Sequence, residues 1–282
     1  MKSGRKTAVP VPDDSGANPP TPGSTRRVGL GLVVALVAVT ALVGVGVGVL
    51  VGSSLTGSDS SSGAPSIPAG NGVRTTPEDA VQQYMDGVAA NDADLILGAC
   101  GVDLVAKGYR FDLLVERVRV IAPNMMAPSE YSLYGTLNEY AQANRCLVGV
   151  QIIAYNLLTS EPYGQTISPV TLEQAQQYAK DVDPSQLASL KVSSIKFPVA
   201  SKASDAKVLA LFADQAEWYG ADEATERVVL FQWNGSYYKA GFQLLRYGND
   251  WIVLSKTSPL GNVGATEVKA TTPEQFDADT DS

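Results

Sequence analysis

Few side chains in this sequence have chemical reach. Tyr84 recurs with Ala80, Val81, Met85 and Val88 on one face of a helical pattern, where its hydroxyl could line a pocket and donate a hydrogen bond to a ligand oxygen. The plainer reading of a tyrosine in that pattern is core, with the ring buried and the hydroxyl at the rim. Carboxylates come in close pairs at Asp92 and Asp94, Asp181 and Asp183, and Asp222 and Glu223, a pairing that acid–base chemistry can use. Each pair lies in a polar, turn-like stretch, however, where helix capping and solvation account for it. Asp277, Asp279 and Asp281 have the spacing that opens a calcium loop, without the glycine and the later glutamate such a loop needs. Asn234-Gly235-Ser236 matches a glycosylation acceptor and, between two strand-like runs, also reads as a hairpin turn. The chain has no histidine, so the commonest general base and metal ligand is missing. No catalytic residue, cofactor site or metal site is expected.

The elements that must position these groups begin with a membrane segment. Val28 to Gly52 are twenty-five residues without a charge and with Thr40 as the one polar side chain. At about 1.5 Å per residue, they cross a hydrocarbon core of about 30 Å with some tilt. A cleaved signal peptide is the rival reading, but its apolar region is usually about 7–15 residues, and no small-x-small cleavage site follows here. Lys2, Arg5, Lys6, Arg26 and Arg27 precede the span, and the first basic residue beyond it is Arg74, so the N-terminus is expected in the cytoplasm and the rest outside it. Residues 1–27 carry a net charge of +3, which leaves −11 for the remainder of a chain whose total is −8. So acidic an outer part argues against nucleic acid as a partner, since displacing counterions from phosphates takes a basic patch. Gly44, Gly48 and Gly52 lie four apart on one face of the span, a spacing that lets two such helices pack closely into a homodimer and that composition alone also produces.

The two cysteines, Cys100 and Cys146, both follow the span, in a compartment where disulfides persist. A bridge between them is expected; the alternative is two unpaired core thiols.

Five segments follow from composition and pattern. Residues 1–27, with Pro10, Pro12, Pro19, Pro20 and Pro22, read as a disordered basic tail, 28–52 as the membrane helix and 53–73 as a flexible Ser/Gly/Pro stalk. Residues 74–260 read as an α+β domain, and 261–282 as an acidic disordered tail. The domain opens on a helix start, with Thr76 as cap, Pro77 in the first turn, and Glu78 and Asp79 after it. A second helix is predicted from Asp92 through Leu95, Ile96 and Ala99, and a third carries Leu114, Val118 and Ile121 up to Pro123. Strands are predicted over 147–158, 192–199 and 208–212, with a helix over 171–180 whose start has a Thr171–Gln174 capping box. The last third reads as an antiparallel meander of 227–233, 237–246 and 251–256, turning at Asn234-Gly235-Ser236 and Gly248-Asn249-Asp250. Helices first and strands last imply helices packed on one face of a sheet.

The opening TTPEDAVQQYMDGVAANDADLILGAC and the closing QLLRYGNDWIVLS resemble the two ends of the nuclear transport factor 2-like (cystatin-like cone) superfamily, above all its membrane-tethered members in Gram-positive envelopes. The resemblance covers roughly residues 75–260, with residues 124–145 fitting poorly. It implies a curved antiparallel sheet wrapped around helices and a cone with an apolar pocket, which serves catalysis in some members and binding or assembly in others. The expected function is therefore a membrane-anchored extracytoplasmic binding or scaffold protein without turnover, with membrane lipid, an envelope protein or a small apolar ligand as partner. Two alternatives are a component of an envelope secretion or conjugation machine, and a small-ligand enzyme using Tyr84 in the cone.

Overall fold

A computed structural model describes residues 72–118, 126–128, 130–159 and 171–282. The membrane helix expected over 28–52 with Gly44, Gly48 and Gly52, the tail before it and the stalk up to residue 71 lie outside the described residues. Among the described residues, no helix is long and apolar enough to cross a membrane.

The domain is α+β, with helices leading and an antiparallel sheet following. Helix α1 (Pro77–Ala90) starts on a full capping box: Thr76 Oγ1 accepts from Asp79 N at 3.1 Å, and the Asp79 carboxylate accepts from Thr76 N at 2.9 Å. Asp92 caps α2 (Ala93–Ala99) by accepting from Asp94 N and Leu95 N. Then come α3 (Val102–Gly108) and α4 (Phe111–Val118). The next element corrects an expectation: residues 147–158 are not a strand but the second half of α5 (Ser132–Leu158), the longest helix of the domain. Val148, Val150, Ile152, Ile153, Ala154, Tyr155 and Leu157 are buried around this half of the helix, so its apolar residues form no single stripe, and the β-branched run resembles a buried strand.

Helix α6 (Leu172–Asp181) carries the expected Thr171–Gln174 capping box and leads through a 3-10 turn (Pro184–Ser189) to β1 (Lys191–Lys196). The strand expected at 208–212 is instead part of α7 (Ala206–Trp218), whose start is set by Asp205 accepting from Lys207 N and Val208 N. The meander follows as read, in β2 (Glu223–Trp233), β3 (Ser236–Tyr247) and β4 (Asp250–Ser255). Asn234 and Gly235 both take positive φ, 48° and 80°, the backbone of a two-residue type I′ hairpin turn.

The stretch 261–282 is a second correction, because it is ordered and built into the sheet. Strand β5 (Lys269–Thr271) pairs with Tyr237–Lys239 of β3, so that β4 and β5 share one edge of β3 end to end. Helix α8 (Pro273–Thr280) then lays the fully buried Phe276 on Val228, Leu230 and Val263. Its acidic residues do not repel the sheet because Lys196 meets Asp277 and Asp281, both at 3.0 Å, and Lys239 meets Asp279 at 2.6 Å.

Both faces of the sheet are covered. Alternate residues Val229 and Phe231 of β2, with Ala240, Phe242 and Leu244 of β3, join α1, α2 and α5 in the main core. On the opposite face, Ala224, Leu245, Ile252 and Leu254 meet Val105, Tyr109, Leu114 and Ala216 at one end, and the Phe276 cluster fills the other. Between them, the segment from Ser258 to Leu260 crosses β3 at Gly241, where a Cβ would meet Ser258 N at 2.7 Å, so glycine permits the crossing.

Candidate functional site

Tyr84 does not open onto a pocket. It is 1% exposed, its ring meets Phe242 edge-on at 5.3 Å, and its hydroxyl donates to the Cys146 carbonyl of α5 at 2.8 Å. Burial pushes its pKa above the ordinary tyrosine value. Its oxygen lies over Gly149, where a Cβ would collide with it, so the α1–α5 contact is closed by this pair. The space under the sheet where a cone pocket would lie is filled by Tyr84, Met85, Phe231, Phe242 and Ile153. Tyr84 thus follows the plainer core reading rather than the pocket role, with its hydroxyl buried instead of at the rim: the inward-facing residues of β2 and β3 carry rings large enough to fill the space under the sheet.

Cys100 and Cys146 form the expected disulfide, with Cα atoms 6.5 Å apart. It links the C-terminal end of α2 to the middle of α5, beside Tyr84. Gln142, one turn earlier and fully buried, donates to the Leu254 carbonyl at 3.2 Å.

The carboxylate pairs are spent on structure. Asp183 caps the 3-10 turn through Ser185, Asp181 accepts from Gln177, Glu223 pairs with Arg246 at 2.8 Å, and Asp222 accepts from Gly248 N at 2.6 Å. Their partners are local or one strand away, and the two carboxylates that do come together, Asp222 and Glu223, share the Arg246 guanidinium at 3.9 and 2.8 Å. The Asn234 side chain accepts from Ser189 Oγ at 3.2 Å beside the hairpin turn.

Besides Arg74, two buried charges escaped the sequence reading. Glu226 in β2 is 5% exposed, and its carboxylate accepts from Ser258 Oγ at 2.7 Å and Leu260 N at 3.0 Å, holding the crossing segment to the sheet. Burial raises its pKa against those hydrogen bonds, which lower it. Lys256, at the end of β4 and 5% exposed, donates to the Ala265 and Glu267 carbonyls. Burial lowers its pKa from 10.5 to about 7, partly opposed by the Glu267 carboxylate. Neither was legible: Glu226 lies at an alternating strand position that would face solvent in a two-layer domain and is covered here by the return of the chain, whereas Lys256 follows β4 and lies against Gly149 of α5.

The sign of the Lys256 effect follows from linkage. Between about pH 7 and 10.5 the unfolded lysine holds a proton that the folded one has released, so stability should rise with pH across that window. The gain should be a few kcal/mol, and Lys256→Met should flatten the slope; urea denaturation at pH 7, 8.5 and 10 would read both.

A shallow cleft of about 290 Å³ lies beside α8, lined by Pro198, Val228, Asn262 and the Lys239–Asp279 pair. Those two charges satisfy each other, leaving the cleft without a committed recognition group.

The surface of α5 differs from the rest. Tyr131 just before it, and Leu133, Tyr134, Leu137 and Tyr140 along its first three turns, are exposed, while the polar Asn138 and Gln142 are buried. Asn138 exchanges hydrogen bonds with Ala127 N at 2.9 Å and Ala127 O at 2.8 Å. The helix thus turns polar groups inward and apolar ones outward, the reverse of an ordinary surface helix. This face is the candidate functional site, and it falls within the stretch 124–145 that fitted the family pattern poorly.

No family model matches the chain, and no curated protein matches it. Among solved structures, it is similar to a cystatin-like protein from Ruminococcus gnavus ATCC 29149, with 18% identity and a TM-score of 0.44. That similarity covers 70% of this chain and 44% of the other, so the chain spans less than half the length of that protein.

Proposed function

We propose that this chain is a single-pass membrane protein whose domain lies outside the cytoplasm and acts by binding or scaffolding, without turnover. The observation that carries the reading is the uncharged run from Val28 to Gly52, with five basic residues before it and none after it until Arg74. The disulfide supports the placement, since such bonds persist outside reducing compartments. The filled space under the sheet supports scaffolding over catalysis, because Tyr84 is committed to the Cys146 carbonyl. The exposed apolar face of α5 supports a docking role. As part of the same proposal, we take the domain to be a filled variant of the nuclear transport factor 2-like cone, on its order of leading helices and closing meander.

Protease protection in sealed right-side-out vesicles tests the topology. The domain should be digested from outside while the first 27 residues stay protected, and the membrane-bound fraction should resist carbonate extraction. Release of the intact chain by carbonate would overturn the anchor.

A further inference from the structure

We propose that the exposed face of α5 rests on the lipid surface of the bilayer that holds the chain's own anchor, a contact that depends on the anchored reading above. Tyr131, Leu133, Tyr134, Leu137 and Tyr140 are 66%, 66%, 38%, 49% and 50% exposed. Leu133, Leu137 and Tyr140 follow one another at helical spacing, Tyr134 is adjacent, and its ring meets that of Tyr131 at 6.0 Å. No charged residue occurs from Tyr131 to Asn138. Glu130 and Glu139 flank this run, and the leucines and tyrosines themselves suit the boundary between headgroups and acyl chains, where the ring is apolar and the hydroxyl wet.

Position points the same way. The chain enters the domain at the β3–β4 turn, where Arg74 is bound to Asp250 and its carbonyl accepts from Trp251 N at 2.9 Å. Tyr247, which begins that turn, donates to the Tyr219 carbonyl at 2.7 Å, and the Tyr219 hydroxyl meets Arg145 of α5 at 3.5 Å. Ala141 of α5 packs into the same cluster as Tyr219 and Tyr247. The first turns of α5 therefore belong to the end of the domain where the chain arrives. The β2–β3 turn lies at the other end of twelve-residue β3, about 35–40 Å away at the usual rise per residue. The Ser/Gly/Pro composition of residues 53–73 is that of a flexible linker, for which a root-mean-square span of about 25 Å is expected, shorter than the length of β3.

Charge and area select the partner. The chain beyond the span carries −11, so attraction to anionic headgroups cannot drive the contact, and insertion of neutral side chains must. Five side chains on three helical turns present far less than the roughly 1,200 Å² of a stable protein–protein interface, so a second copy would be held weakly by this face alone.

The test uses the full chain reconstituted in phosphatidylcholine vesicles that contain a headgroup spin-labelled lipid. A fluorophore is placed on Leu137→Cys or, as the distal control, on Ser236→Cys, both at exposed positions. Quenching about threefold stronger at residue 137 than at residue 236 is expected for a face held at the bilayer interface. Equal quenching at both positions, in protein that floats with the vesicles, overturns the lipid contact and leaves the anchor standing. Protein that fails to float overturns the anchored reading, and the contact with it. Self-quenching between labels at residue 137 without lipid quenching assigns the face to a second copy and also overturns the proposal.

Discussion

Asp250→Ala is expected to lower the stability of the domain by about 3–5 kcal/mol, the range for removing one partner of a buried ion pair. The Arg74 side chain is 6% exposed and its guanidinium has three duties. Nε donates to Asp250 Oδ1 at 2.8 Å, one terminal nitrogen to Oδ2 and the other to the Gly98 carbonyl; the Arg74 backbone N–H adds a bond to Oδ1 at 2.9 Å. Without Asp250, the guanidinium keeps one carbonyl and loses its counter-charge in a site that water reaches poorly, which is the costly half of such a pair. Arg74→Met should cost less, because Asp250 is 22% exposed and can be hydrated once the cation is gone. Urea denaturation followed by the fluorescence of Trp218, Trp233 and Trp251 reads both variants. Equal losses in the two would show that hydrogen bonding to Gly98, rather than an uncompensated charge, dominates.

The second large effect is expected at the disulfide. Cys100 and Cys146 close a loop of 46 residues, for which the chain-entropy account gives about 4 kcal/mol at 25 °C. The double replacement Cys100→Ala with Cys146→Ala should shift the urea midpoint by that amount. It should also increase the denaturant dependence, since an unbridged unfolded chain exposes more surface. Both cysteines are buried, at 0% and 2% exposure, so reduction of the folded protein should be slow and should accelerate with urea. Rapid reduction under native conditions would show that α2 and α5 separate readily.

The parts of the fold that could be read from sequence are those set by local chemistry. Thr76-Pro77-Glu78 starts a helix where expected, Thr171 with Gln174 starts another, and Asn234-Gly235 turns the hairpin whose strands were placed within a few residues. The failures come from tertiary context. The second half of α5 is apolar nearly all round because helices and sheet enclose it, and that removes the period by which a helix is recognised. One miss had an available signal: Thr272-Pro273-Glu274 repeats the tripeptide of α1, and Thr272 Oγ1 accepts from Gln275 N at 3.2 Å as Thr76 does from Asp79 N. The run of aspartates after it suggested a solvated tail, whereas Lys196 and Lys239 await those charges on the sheet. The exposed face of α5 could not be read at all, since only the structure shows which side of that helix is turned away from the core.

The placement of α8 also bears on the order in which the protein can assemble. Phe276 completes the cluster on Val228 and Leu230, and β5 extends an edge laid down some thirty residues earlier, at Tyr237–Lys239. During synthesis, at about 5–20 residues per second, this patch of the sheet stays uncovered until the segment around Phe276 has emerged. Arg74 meanwhile waits for Asp250, 176 residues later, before the first helix can be pinned. A nascent chain of this design is thus committed late, and factors that shield apolar strands would act on it through nearly the whole of its synthesis.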